Sequence, residues 1–123
     1  MRILLAIGTG SFIGGTFRYL LSQIIQSMFM STFPFGTLCV NLLGCFLIGV
    51  IFGLNERGTV NMEWRLFLAT GLLGGFTTFS AFSNESVAML RDGQFWYAFA
   101  YIGGSVFIGL LATFVGISLI KIF

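Results

Sequence analysis

The side chains able to do chemistry in this 123-residue chain crowd into one stretch, "LLGGFTTFSAFSNE", from Leu72 to Glu85. Gly74 and Gly75 come first, Thr77 and Thr78 follow, and Phe79 and Phe82 then alternate with Ser80 and Ser83. Each glycine lowers helix propensity by about 1 kcal/mol. The β-branched threonines weaken a helix further, because their hydroxyls compete for backbone hydrogen bonds. The pattern predicts a break near Gly75–Thr78. A membrane helix that breaks frees carbonyl oxygens, which protein, water or an ion must satisfy. Such oxygens at a half-helix end are natural cation ligands. Phe79 and Phe82, three residues apart, share one helical face. An aromatic ring has a positive edge, so ring edges can line a route for a small anion while holding it weakly enough to let it leave. The plainer reading of the pair, as core or lipid-facing bulk, stands beside this one.

Further polar residues fall at membrane depth. Asn41 lies within "FGTLCVNLLG", with Thr37 one turn before it and Gly44 and Ile48 continuing the face. An amide there needs a partner, since hydrocarbon offers none. Either a hydrogen bond between helices or a passing ligand supplies it. Arg18 follows Gly14 by one turn in the first apolar run. Its stem can snorkel to the interface, or its charge can attract anions in a wet vestibule. Tyr101, Ser105, Gly109, Thr113 and Gly116 recur every three or four residues along the last run and form one small, polar face. Packing accounts for the glycines, and serine or threonine can bond back to its own helix.

What is missing narrows the chemistry. With no histidine, imidazole-based zinc sites, Ser-His triads and His proton relays are excluded. The four acidic residues sit mostly at the ends of apolar runs, which argues against carboxylate-driven catalysis and against an enzyme. Cys39 and Cys45, six apart on one expected helix, face different ways and cannot form a disulfide; they read as small packing residues. No nucleic-acid partner is expected.

The elements that must position these residues are membrane spans. The chain is 57% hydrophobic and 8% charged, with mean hydropathy +1.00, against about 25% charged residues in a soluble domain. Four runs reach the roughly 20 residues needed to cross a bilayer: 3–25, 35–54, 64–90 and 95–123. They predict an all-α integral membrane protein, residues 1–123 forming a single four-helix domain. No soluble domain and no cleavable signal peptide are expected. A straight helix over 62–90 would be roughly 43 Å long, more than the bilayer core, which again favours interruption. With four spans, Arg2, Arg57, Arg65 and Lys121 share one side, against Arg91 and Arg18. So weak a bias under the positive-inside rule permits insertion in both orientations.

"GGTFRY", "FGTLCVNLLG" and "GLLGGFTTFSAFSNE", in this order along a four-span chain of this length, resemble the Fluc (CrcB) fluoride channels, and the resemblance covers essentially the whole chain. It implies a passive, fluoride-selective channel that exports the ion from the cytoplasm across the inner (plasma) membrane. It implies two subunits assembled antiparallel in a dual-topology homodimer, with two pores and a central structural sodium ion. Carried over residue by residue, Phe79 and Phe82 are pore phenylalanines, Asn41 the pore asparagine and Arg18 the first-helix arginine. Gly75 and Thr78 supply backbone carbonyls to sodium. Thr37, Ser83, Tyr101, Ser105 and Thr113 complete the expected pore, the fourth-helix match being the looser part because Gly109 interrupts the hydroxyl row.

Two other classes compete. A small proton-coupled multidrug exporter needs an acidic residue inside the membrane, most naturally in the first span, and residues 3–25 contain none. A non-conducting assembly subunit explains the small-residue faces, but leaves Asn41 and the interrupted third span without purpose.

Overall fold

The structure, a computed structural model describing residues 1–123, is entirely helical. In chain order it contains α1 (Arg2–Ser27), α2 (Phe35–Glu56), the short α3 (Met62–Arg65), a π-helical stretch (Leu66–Leu73), α4 (Gly74–Phe76), α5 (Phe79–Arg91) and α6 (Phe95–Ile122). Four helical segments are long and apolar enough to cross a membrane, the third being the whole of Met62–Arg91. Only 18 of the 123 residues are buried. Phe99, Phe107, Leu110, Leu111 and Phe114 on α6 lie open, which is stable where lipid replaces water. The protein is a multi-pass membrane protein.

Glycine decides which helices touch. α1 lies along the π-helical stretch and α4, with Gly10 and Gly14 buried. A Cβ on Gly10 would come within 2.6 Å of the Phe67 carbonyl oxygen, and one on Gly14 would collide with that of Leu72. α2 pairs with α6 in the same manner: a Cβ on Gly49 would meet the Thr113 carbonyl, and one on Gly116 that of Phe46. Helices attract weakly by the hydrophobic effect inside lipid, so close backbone approach is what fixes such pairs.

The third span adds one feature to the sequence expectation and narrows another. Residues 66–73 form a π-helix, a wide turn that apolar periodicity does not reveal and that recurs at functional sites. The helix also runs on through Gly74 and Gly75, ends at Phe76 and resumes at Phe79. Thr77 (φ −91°, ψ 156°) and Thr78 (φ −146°, ψ 115°) are extended. Gly75 is thus a packing glycine: a Cβ on it would come within 2.6 Å of the Ser11 carbonyl oxygen. The threonines act as anticipated from their hydroxyls. Thr77 Oγ1 donates to the Leu73 carbonyl at 3.0 Å, and Thr78 Oγ1 accepts from the Ala81 N–H at 3.2 Å as the cap of α5. Gly44 of α2 makes space for the Thr77 methyl group.

Candidate functional site

The extended pair at Thr77–Thr78 leaves backbone groups without helical partners, and α2 supplies one set. Asn41 Nδ2 donates to the Thr78 carbonyl at 3.1 Å. The Thr78 N–H donates to Asn41 Oδ1 at 2.9 Å. The amide therefore answers Thr78 as a neighbouring strand would, and one Nδ2–H remains for another acceptor. From α1, Arg18 Nε donates to the Gly75 carbonyl at 3.1 Å. Both carbonyls assigned to sodium by resemblance thus already carry one donor, and each keeps a second lone pair.

A second polar cluster lies at the middle of α5. Thr37 Oγ1 donates to Glu85 Oε1 at 2.7 Å, and the Tyr101 hydroxyl donates to Glu85 Oε2 at 3.1 Å. Three spans meet on one carboxylate, each oxygen holding one hydroxyl. Such charge-assisted bonds are the stronger kind. Tyr101 is fully buried, and its ring lies 5.2 Å from that of Phe82 at 51°. Phe82 in turn stands 5.6 Å from Phe79.

Beside the Asn41–Thr78 pair a cavity of about 370 Å³ is lined by Asn41, Cys45, Thr78, Phe79, Phe82 and Ser105, among others. Ser105 Oγ is buried with no hydrogen-bond partner, an arrangement that costs about 1–3 kcal/mol unless a ligand or water meets it. Phe79 is 81% exposed and forms part of the cavity's open side.

The structure therefore brings together Asn41, Thr78, Phe79, Phe82 and Ser105 at the cavity, and Thr37 with Tyr101 at Glu85. Arg18 and Gly75 meet each other at the α1 side of α4. Two expected pore residues stand apart. Ser83 is exposed on α5. Thr113 Oγ1 bonds the Cys45 carbonyl at 2.9 Å and its own helix at Gly109 at 3.2 Å, so its hydroxyl is occupied in joining α6 to α2. Glu85 escaped the sequence reading, which placed acidic residues mostly at span ends. It lies inside α5, less than two turns from Arg91, and its position one turn beyond Phe82 on the same face was the available signal.

Fold and site define a class: a four-span helical membrane protein whose few polar groups gather around an interior cleft at an interruption of the third span. Residues 5–117 match the family model described as CrcB-like protein, Camphor Resistance (CrcB), and the chain belongs to this family. It is 43% identical over 122 residues to a protein of Flavobacterium psychrophilum named Fluoride-specific ion channel FluC, covering 98% of both chains. Proteins of the same name from Chlorobium phaeobacteroides and Phocaeicola vulgatus are 47% and 48% identical. These alignments cover 97% and 95% of this chain and 93% and 97% of theirs.

Proposed function

We propose that this chain forms a passive, fluoride-selective channel of the plasma membrane that lets the anion leave the cytoplasm. In acid surroundings HF crosses membranes as a neutral molecule and dissociates inside, and an open pore returns the trapped anion down its gradient. The observation that carries the reading is the set of donors and ring edges at the cavity, which leads toward Glu85. The unpartnered Ser105 Oγ, the edges of Phe82 and Phe79 and the spare Asn41 Nδ2–H can each face an anion, and none is a fixed cation that would trap it; the hydroxyls of Thr37 and Tyr101 give their protons to Glu85 and fix that carboxylate beside the path. The names of the relatives support fluoride as that anion. The test is flux from liposomes holding the purified protein: fluoride should escape while chloride is retained, and equal retention of both would refute the reading.

The proposed working unit is an antiparallel homodimer with two pores. It draws support from the weak bias of basic residues between the two sides and from the exposure of Phe79 at the cavity. A sodium ion at the two-fold axis would take the carbonyls of Gly75 and Thr78 from each copy. The donor set suits it, because hard, neutral carbonyl oxygens without carboxylates favour a monovalent cation. At Thr78 the ion would share the oxygen with the Asn41 amide and take its second lone pair. At Gly75 the ion would share the oxygen with the Arg18 guanidinium, so the two must use opposite lone pairs. Sodium would supply structural support and a fixed positive charge there. Proton-coupled drug export gains no support from α1, which carries no acidic residue.

A further inference from the structure

The α1–α2 connection is held by one side chain. Gln26 Nε2 donates to the carbonyls of Ser31 and Phe33, at 3.2 and 3.0 Å, and its Oε1 accepts from the Gly36 N–H at 3.0 Å. α2 has Pro34 at its N-cap and no side-chain cap of its own, so Gln26 fills that role from another helix. Only an amide can do this, since a carboxylate cannot donate and an ammonium cannot accept. Gln94 Nε2 adds a bond to Thr32 Oγ1 at 3.2 Å, tying in the α5–α6 turn. The loop so fixed carries Phe33, whose ring meets Tyr101 edge-on, centroids 5.7 Å apart at 81°, and Tyr97 at 5.6 Å and 87°. Phe33 also joins the cluster built on Met89, Ala98 and Tyr101. The Tyr101 ring consequently packs against both Phe33 and Phe82, with its hydroxyl bonded to Glu85.

We propose that Gln26 and Phe33 are positioning residues of the conduction path: Gln26 fixes the loop, the loop seats Phe33, and Phe33 holds Tyr101 so that its hydroxyl stays on Glu85 beside Thr37. Neither residue lines the cavity at the interruption of the third span. The inference rests on the path proposed above, and its test separates the two. Fluoride efflux is measured from liposomes carrying the full chain, its Gln26→Ala, Phe33→Ala and doubly substituted variants, and Tyr101→Phe as a probe of the path itself. Size-exclusion elution identical to the parent protein establishes folding, and Gln26→Glu, which keeps the acceptor for Gly36, stands in if Gln26→Ala fails to fold. Each single change should slow efflux roughly tenfold, within the range of coupled neighbours. The double variant should be no slower than Phe33→Ala alone, a non-additivity that a general loss of loop stability does not give. Slowing that multiplies in the double variant overturns the relay through Phe33. Parent-like rates in both single variants with a slowed Tyr101→Phe overturn the inference and leave the path standing. A parent-like rate in Tyr101→Phe removes the path and the inference with it.

Discussion

Asn41 and Thr78 close a two-bond ring across the helix pair: the amide donates to the Thr78 carbonyl at 3.1 Å and accepts from the Thr78 N–H at 2.9 Å. This contact holds the extended residues in place, and it leaves the amide one free donor toward the cavity. A packing role and a ligand role are therefore compatible in one side chain. Asn41→Asp keeps the acceptor for the Thr78 N–H but removes both donors. The Thr78 carbonyl then loses its partner, at about 1–3 kcal/mol, and a negative charge stands beside the anion path. Fluoride efflux from liposomes should fall at least ~10-fold while the protein still elutes as folded. Near-parental flux would confine Asn41 to packing.

The two phenylalanines should separate by burial. Phe79 is mostly exposed in the single chain and Phe82 packs on Tyr101. Phe79→Ile should therefore leave thermal stability within about 0.5 kcal/mol, whereas Phe82→Ile should lower it by about 1 kcal/mol through the lost ring contact. Both should reduce fluoride flux, because isoleucine keeps the bulk and lacks the polarised edge. Normal conduction in both variants would make the rings mere wall.

Gly14 allows α1 to reach the Leu72 carbonyl. Gly14→Ala should force the helices apart and cost about 1–3 kcal/mol, as overpacking does. Gly8, on the same helix, has open space where a Cβ would stand, and Gly8→Ala should melt like the parent. Equal melting temperatures in detergent for Gly14→Ala and the parent would show that the α1 contact is looser than described.

Assembly and sodium are tested together. Terminal tags should be reachable by a membrane-impermeant reagent from both faces of a sealed membrane. Labelling from one face alone would rule out dual insertion. If the Gly75 and Thr78 carbonyls hold an exchangeable sodium, replacing sodium by a large organic cation should weaken both flux and dimer stability; indifference of both would remove the ion from the account.

The spans were legible because an apolar run of the right length admits few alternatives. Gly116 was legible too as a packing glycine of the last span, and a Cβ on it would meet the Phe46 carbonyl. The π-helical stretch at 66–73 was not, because an apolar run does not distinguish the wide turn from an ordinary α turn. Gly75 illustrates the same limit. Its conformational weakness pointed to a break, yet contact with Ser11 keeps it helical and the chain opens two residues later. Glu85 was missed because its hydroxyl partners, Thr37 and Tyr101, sit 48 and 16 residues away, and helix rotation alone decides whether they meet. Thr113 shared the periodicity of Tyr101 and Ser105, but a backbone carbonyl on α2 captured its hydroxyl.

The central claim, passive conduction of fluoride, is tested most directly by the reversal potential of currents through the purified protein in a planar bilayer. Under a fluoride gradient, with other ions matched, the account predicts a reversal potential that moves by about 59 mV per tenfold change, as for a monovalent ion. It should stay fixed when chloride or pH is varied instead. An absence of current, or a reversal potential that follows the chloride or proton gradient, would contradict the account.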